Sequence, residues 1–336
     1  MSITVLTPGI LTTIQDCGRN GYQKHGVVVS GAMDTFSMRL ANIVIGNDEN
    51  EGVLEITLAG PSLKITKGNM IAITGANLSP TINDEKIPMG RPIYLNEDSV
   101  LKFGKCISGC RSYLSVAGGF DIPIFMGSKS TYLRGKIGGK DGRALKQDDV
   151  LEIGEKGEFS LNLVEKLKLF NDEESFVSVD WYVKNFIVVN DEPTVIRVFE
   201  DRQYKNINKK SIDEFFNSNF SIDIKADRMG YRLNGPKIKL KENLEMISEE
   251  VSFGTIQIPP DGNPIILLAD RATAGGYPKI AHVASFDILK LVQLKPFDKV
   301  QFKKITLKEA ENLYLKREKY MEKIKESVKF MMKHMK

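Results

Sequence analysis

The sequence predicts a mainly β protein of two lobes with a few helices and a C-terminal amphipathic helix, and three observations lead there. Short apolar or alternating runs, each closed by Gly, Pro, Asn or Asp, recur through most of the 336 residues. That length exceeds what one hydrophobic core usually fills, so two barrel- or sandwich-like lobes are expected. After Thr306 the alternation gives way to helical spacing among Lys and Glu.

The first lobe is expected over 1–155. Its strand signals are VLEITLAG (53–60), SLKITKGNMIAITG (62–75), VLKFG (100–104), RSYLSVAGG (111–119) and DVLEIG (149–154). One helix interrupts them at MDTFSMRLANIVIG: Met33, Phe36, Leu40, Ile43 and Val44 follow a 3.6-residue period, and Gly46 stands where a helix stops. Residues 156–190 read as a connecting region, because charge density rises around NLVEKLKLFNDEES while Gly thins out. The second lobe, 191–305, has strand signals at TVIRVFE (194–200), SIDIKA (221–226), KIKL (237–240), GTIQIPP (254–260), PIILLAD (264–270) and DKVQFKKI (298–305). AHVASFDILKLVQL (281–294) reads as a helix or helical turn. In the tail, 306–336, an apolar stripe of Ala310, Tyr314, Met321, Ile324, Val328 and Met331 is expected to pack on the protein or a partner.

Composition excludes several classes. A net charge of +4 with 42% hydrophobic and 27% charged residues is ordinary, and no basic block stands beside stacking aromatics, so no nucleic-acid partner is expected. The start, MSITVLTPGILTTIQD, lacks a basic region followed by a continuous apolar one, and no run approaches the ~20 residues of a membrane span, so a cytoplasmic protein with no membrane partner is expected. Cys17, Cys106 and Cys110 form no even disulfide set, in keeping with a reducing compartment. CISGC has no His at ligand spacing, so no metal site is expected. KIGGKDGR (136–143) lacks the order of a phosphate-binding P-loop.

Three loops share one vocabulary. Asp16 precedes Arg19-Asn20-Gly21-Tyr22; Asp227-Arg228 leads to Gly230-Tyr231; Asp270-Arg271 leads through Thr273 to Gly275-Gly276-Tyr277 and Lys279. Arg offers a fixed fork of donors to carboxylate or phosphate, Asp holds that fork, and Gly lets backbone N–H groups approach the same anion. Two consecutive Gly suggest a sharp bend or a close approach of something to the backbone. Each loop, taken singly, reads more readily as loop stitching. HGVVVSGAMD (25–34) is a further candidate. Ser30 lacks the G-x-S-x-G frame of a nucleophile, so a helix N-cap or backbone-binding turn at Ser30 or Asp34 is the expected use. Were Gly31 and Ala32 to open the helix, its first amides would offer an anion site.

Taken in order, GILTTIQDCGRNGYQKHGVVVSGAMDTFSMRLANIVIGN, LEITLAGPSL, YLSVAGGFDIPIFMGSKSTYLRGKIGGKDGRALKQDD, ADRMGYRLNGP and SEEVSFGTIQIPPDGNPIILLADRATAGGYPKIAHV closely resemble the biotin-dependent carboxyltransferase family. That family is also described as KipA-like or allophanate hydrolase subunit 2, and it includes the C subunit of 5-oxoprolinase. The resemblance covers about residues 3–305. It implies two cyclophilin-like β-barrel lobes, a KipI-like B subunit and an A subunit of 5-oxoprolinase as partners, and a small amide as substrate. The activity implied is ATP-dependent hydrolysis of 5-oxoproline to L-glutamate, with ATP and Mg shared among the subunits and this chain inactive alone.

Two other readings stay open. One is carboxyl transfer to urea or another small amide, with biotin carried on another protein; the other is a regulatory protein that sequesters a KipI-like kinase inhibitor. On the 5-oxoprolinase reading Arg228, Asp270, Arg271 and Lys279 are expected to act on the reacting groups. Arg19 and Ser30 are expected to bind substrate or phosphate, with Asp16 and Asp227 orienting the arginines, Tyr22, Tyr231 and Tyr277 shaping the pocket, and Thr273, Gly275 and Gly276 contributing loop contacts. Two departures from the family bear on substrate choice. Ala272 and Ala274 replace an amide and a hydroxyl, and VFEDRQ (198–203) replaces a Leu-Pro-Gly turn.

Overall fold

A computed structural model describes residues 1–169, 174–184, 192–242, 244 and 246–335. Its α-helices are α1 (Thr35–Ile45), α2 (Glu158–Lys168), α3 (Lys209–Asn217), α4 (Ser285–Leu291) and α5 (Leu307–His334). The chain divides into two units, and both are discontinuous in sequence. Met1–Gly18, Asp34–Val188 and Tyr320–Lys336 form the first; Arg19–Met33 and Val189–Lys319 form the second.

The first unit carries two six-stranded sheets. In one, the order is Val150–Glu152, Ser2–Thr7, Ser62–Ile65, Ser99–Lys102, Thr81–Ile82, Glu85–Lys86; in the other it is Phe176–Ser178, Ile93–Leu95, Met70–Asn77, Ser108–Val116, Val53–Thr57, Leu11–Gln15. β-Branched and leucine side chains from both sheets, among them Ile3, Val5, Ile56, Ile73, Leu101 and Leu114, share one core from which water is excluded. Gly75 breaks the register of the central pair. Its φ is +81°, and a Cβ there would lie 2.5 Å from the Arg111 carbonyl oxygen, so only glycine permits this crossing.

Helix α1 follows the sequence expectation closely. Asp34 caps it, accepting from the Ser37 amide at 2.9 Å, and Gly46 ends it in the left-handed region at φ +78°. The cap is itself anchored: the Asp34 amide donates to the Tyr113 hydroxyl at 2.8 Å, and that hydroxyl donates to Glu55 at 2.8 Å, all fully or almost fully buried. Burial, with the nearby Glu55 and Asp34 carboxylates, pushes the Tyr113 phenol well above its ordinary pKa and keeps it a donor. Tyr113→Phe removes one group and strands two. We expect a loss of about 1–3 kcal/mol in denaturant unfolding, with no change in far-UV circular dichroism.

The stretch expected to be a connection belongs largely to this unit. Helix α2 buries Leu163, Val164 and Leu167, and Phe176–Ser178 pairs with Ile93–Leu95 at a sheet edge. Apolar residues at helical spacing outweigh the local charge. Residues 170–173 and 185–190 of that stretch lie outside the described residues. Lys166 donates from its ammonium to the Met332 and Met335 carbonyls, each at 2.8 Å, which satisfies acceptors at the end of α5.

The stripe on α5 is partly shifted. Ala310, Met321, Ile324, Val328 and Met332 are buried, whereas Met331 is 42% exposed, as is Tyr314 at 44%. Three turns from Met321 end at residue 332, so the methionine one position earlier points about 100° away. Tyr314 lies on the surface under the Arg317 guanidinium, 4.9 Å from its ring.

The second unit is a closed seven-stranded barrel. Its order is Thr194–Glu200, Lys279–Val283, Thr255–Gln257, Ile265–Leu267, Gly230–Asn234, Asn219–Ile222, Lys299–Lys304, and the last strand closes on the first in parallel. Closure leaves no open edge. Ile196, Val198, Phe220, Ile266, Val283 and Phe302 fill it, with Phe215 from α3 stacked on Phe302 at 4.4 Å.

Three expectations in this unit change. KIKL is not a strand: Ile238 enters the core while its neighbours face outward. SIDIKA is a strand only to Ile222, because the Asp223 carboxylate accepts from the Lys225 amide and turns the chain. Residues 281–283 complete a barrel strand before α4 begins at Ser285.

Candidate anion site in the second unit

The loop from Asp270 to Lys279 leaves the barrel after Ile265–Leu267 and returns into Lys279–Val283. Midway, Ala274–Gly275 pairs with Glu249–Glu250 as a short antiparallel ribbon, and the Val251 amide donates to the Thr273 carbonyl at 3.2 Å. The SEEVSFG stretch thus frames the loop. Its consecutive glutamates are the one signal for this in the sequence, and on their own they imply no role.

The three Asp-Arg motifs pair differently from their order along the chain. Arg228 does not lean on Asp227. Its Nε and Nη2 grip Asp270 at 3.0 and 3.1 Å, both residues are buried, and Nη2 also donates to the Gly31 carbonyl at 2.7 Å. The Asp270 amide donates to the Arg228 carbonyl at 2.8 Å, so main chain and side chains tie the two loops together. Asp227 caps its own turn, accepting from the Met229 and Gly230 amides at 2.8 and 3.2 Å.

Asp16, in the first unit, accepts from the Gly18 and Lys129 amides and the Ser128 and Ser130 hydroxyls at 2.5–2.7 Å. These contacts fasten the 16–18 turn to the 128–130 loop. Arg19, in the second unit, has a fully buried side chain, and its amide donates to the Val29 carbonyl at 2.7 Å. Tyr231 sits in the barrel core with its hydroxyl donating to the Leu294 carbonyl at 3.3 Å, so it shapes no pocket wall. Tyr22 is half-exposed and starts a short 3-10 turn, Gln23–His25.

Arg271 is differently placed. Its Nε and Nη1 reach only the Val251 and Leu268 carbonyls, each at 3.3 Å, and its guanidinium lies 5.9 Å from the Phe253 ring centroid. No carboxylate lies within ion-pair distance among the described residues. Burial lowers its pKa, opposed by the field of Glu250, which marks a cation poorly compensated by water or acid.

Lys279 is compensated: its buried ammonium meets Glu249 at 2.7 Å and donates to the Glu250 carbonyl at 3.1 Å. The Lys279 bond holds the Glu249 carboxyl below its ordinary pKa, with Arg202 adding its field. Gln203 clasps the Lys279 main chain from both sides at 3.0 Å. The 198–203 segment, where the sequence departs from its family, therefore touches this loop directly.

Neither glycine of the Gly275-Gly276 pair has a positive φ, so no sharp bend is made there. Gly275 leaves room for the Gln257 amide, 2.8 Å from where its Cβ would be. Gly276 would accommodate a methyl, with Ser248 Oγ its nearest neighbour at 3.6 Å. Tyr277 is 44% exposed, and its carbonyl accepts from Gln257 at 3.2 Å.

Ser30 does not cap α1; that is Asp34, and Gly31 and Ala32 precede the helix rather than open it. Ser30 instead combines a left-handed backbone, φ +56°, with a buried hydroxyl that has no hydrogen-bond partner among the described residues. Its neighbour Gly31 gives the carbonyl held by Arg228. Both features cost stability, and such strain commonly sits where a ligand is met. Ser30→Gly relieves the backbone and should stabilise the chain by about 1 kcal/mol, whereas Ser30→Ala keeps the strain and gains less. Paired thermal melts check this.

The model of the carboxyltransferase domain, subdomains A and B, matches residues 25–304. The chain belongs to the carboxyltransferase domain family. Within it, the C subunit of 5-oxoprolinase from Haemophilus influenzae is 33% identical over 97% of this chain and 98% of its own length, and its namesake from Escherichia coli is 32% identical over 96% and 97%. The solved Kluyveromyces lactis urea amidolyase superposes with a TM-score of 0.83 at 33% identity over 95% of this chain, which spans only 19% of that protein.

Proposed function

We propose that this chain is the C subunit of a 5-oxoprolinase, acting with a KipI-like B subunit and an A subunit in the ATP-dependent hydrolysis of 5-oxoproline to L-glutamate. The observation that carries this reading is the end-to-end match to proteins of that name, 97% of one chain on 98% of the other.

The chemistry suits the Asp270–Lys279 loop. A lactam resists water because of amide resonance. Transfer of the ATP γ-phosphoryl group to its carbonyl oxygen makes it electrophilic, water then opens the ring, and phosphate leaves. Such a step depends on prepositioned donors more than on a covalent nucleophile. Arg271 supplies the uncompensated guanidinium, for the substrate carboxylate or for negative charge growing on the carbonyl oxygen. Arg228 and Asp270 act as positioning residues that hold Arg271 and the Ser30 turn, while Glu249 and Gln203 fix Lys279 at the end of the loop. Among the described residues there is no cluster of three His, Cys, Asp or Glu side chains that could hold a metal.

A second reading, carboxyl transfer to urea or a related amide, has support from the urea amidolyase superposition. The test is 5-oxoproline-dependent ATP hydrolysis by this protein mixed with the A and B subunits of its own genome, each omitted in turn. Turnover requiring all three supports the proposal. A formed complex that turns over urea with carboxybiotin instead of 5-oxoproline overturns it, as does a complex with the B partner that turns over neither.

A further inference from the structure

In the first unit, the loop from Asp121 to Ser130 ends in a tip that the site in the second unit does not use. Phe125 and Ser128 exchange both main-chain hydrogen bonds, the Phe125 amide donating to the Ser128 carbonyl at 2.9 Å and the Ser128 amide to the Phe125 carbonyl at 3.2 Å. The two residues between them are left-handed, Met126 at φ +51° and Gly127 at φ +75°. Hairpins of this kind favour Asn or Gly at both central places, so Met126 stands there against its backbone preference. Pro123, Ile124, Phe125 and Met126 are all exposed, the last three by 68%, 42% and 39%. A Cβ added to Gly127 would meet nothing within 4 Å among the described residues, so the tip projects. Its base is fixed: Asp16 holds Ser128, Lys129 and Ser130, and the Lys129 ammonium reaches Glu51 and the Phe120 carbonyl.

We infer that this tip is the anchor for a partner protein that presents an apolar pocket with an acidic rim. On the 5-oxoprolinase reading, on which the choice of partner rests, that protein is the KipI-like B subunit. Four consecutive exposed apolar residues favour aggregation of a free chain, and patches of this kind mark interaction surfaces. A pinned tip loses little conformational entropy when it enters a shaped pocket, which lets a few side chains carry most of an affinity. A lipid surface rewards buried area rather than fixed shape. Shape and charge also speak against a second copy of this chain. A two-fold contact sets one patch against itself, and a projecting tip offers itself no pocket. Beside the tip's base, where the Gly139 amide donates to the Lys129 carbonyl at 2.8 Å, the 134–140 stretch adds Arg134, Lys136 and Lys140 and no acid. Two copies would repel there, and an acidic rim would attract.

Biolayer interferometry of the full chain against the B subunit of its own genome, at physiological salt, tests this. Saturable binding is expected. Phe125→Ser/Met126→Ser should weaken it ~30-fold or more, mainly through faster dissociation, and Arg134→Glu/Lys136→Glu should slow association ~10-fold. Met126→Gly separates binding from folding: release of the left-handed backbone should raise the melting temperature by about 2 °C while affinity falls ~10-fold. A Met126 that served the fold alone would leave affinity unchanged. The serine variant should melt within about 2 °C of the parent, which confirms that it folds. Binding of the serine variant within about twofold of the parent overturns the inference and leaves the 5-oxoprolinase reading standing. A parent chain with no affinity for the B subunit ends both, whereas tip-dependent binding without turnover once the A subunit is added ends that reading alone. A parent dimer that the serine variant dissolves, or sedimentation with phosphatidylcholine–phosphatidylserine vesicles that it loses, overturns the inference in favour of a second copy or a membrane.

Discussion

Arg271→Ala, assembled with the A and B subunits, should lose about 10²- to 10³-fold in 5-oxoproline-dependent ATP hydrolysis, while its melting temperature stays within about 4 °C of the parent. The two halves of this expectation share one cause. The guanidinium makes only two long bonds to carbonyls and has burial set against its charge, so little folding energy is lost with it. Its net positive charge is what a developing oxyanion or a bound carboxylate would meet. Arg271→Lys should recover only part of the rate, because an ammonium cannot keep both carbonyl contacts and present a planar fork as well. Full activity in the Ala variant would remove Arg271 from the mechanism.

Arg228→Met is expected to behave in the opposite way, costing about 3–5 kcal/mol and lowering the melting temperature by roughly 6–20 °C. It leaves the buried Asp270 carboxylate without its two-pronged partner and the Gly31 carbonyl without its donor. The double variant Arg228→Met/Asp270→Leu should be more stable than Arg228→Met alone, since no isolated charge remains. A double variant no better than the single would mean that the Gly31 contact, rather than the ion pair, holds the loops. Melting curves of the three proteins decide between these.

Local order is legible wherever neighbours in sequence are also neighbours in space. TVIRVFE forms a strand over the whole span of its alternating pattern, and Asp34 and Gly46 bound α1 as their chemistry requires. What depends on distant partners is not legible. Asp227-Arg228 and Asp270-Arg271 look like two self-contained pairs, and nothing in their spacing shows that Arg228 reaches across 42 residues to Asp270. Glu249 likewise gains its role only when the Glu249–Glu250 ribbon folds against the loop. The glycine pair suggests a bend that is not there, because composition carries no φ. The 156–190 stretch does contain the division between the units, at Val188–Val189, but its helix is hidden for a related reason: charged residues on α2 mask its buried leucines.

The interleaved division of the chain bears on how it is made. A ribosome releases the N-terminus first, and domains generally fold as they emerge. Here the second unit, apart from its 19–33 segment, is synthesised between the sheets of the first unit and that unit's last segment, Tyr320–Lys336. At 5–20 residues per second, the interval from the last sheet strand at Phe176–Ser178 to residue 320 lasts on the order of 10–30 s. During that interval the nascent first unit lacks a segment that contributes Met321, Ile324, Val328 and Met332 as buried side chains. The first unit can bury these side chains only after they are synthesised, and a chaperone that shields apolar surface would act on it in that window.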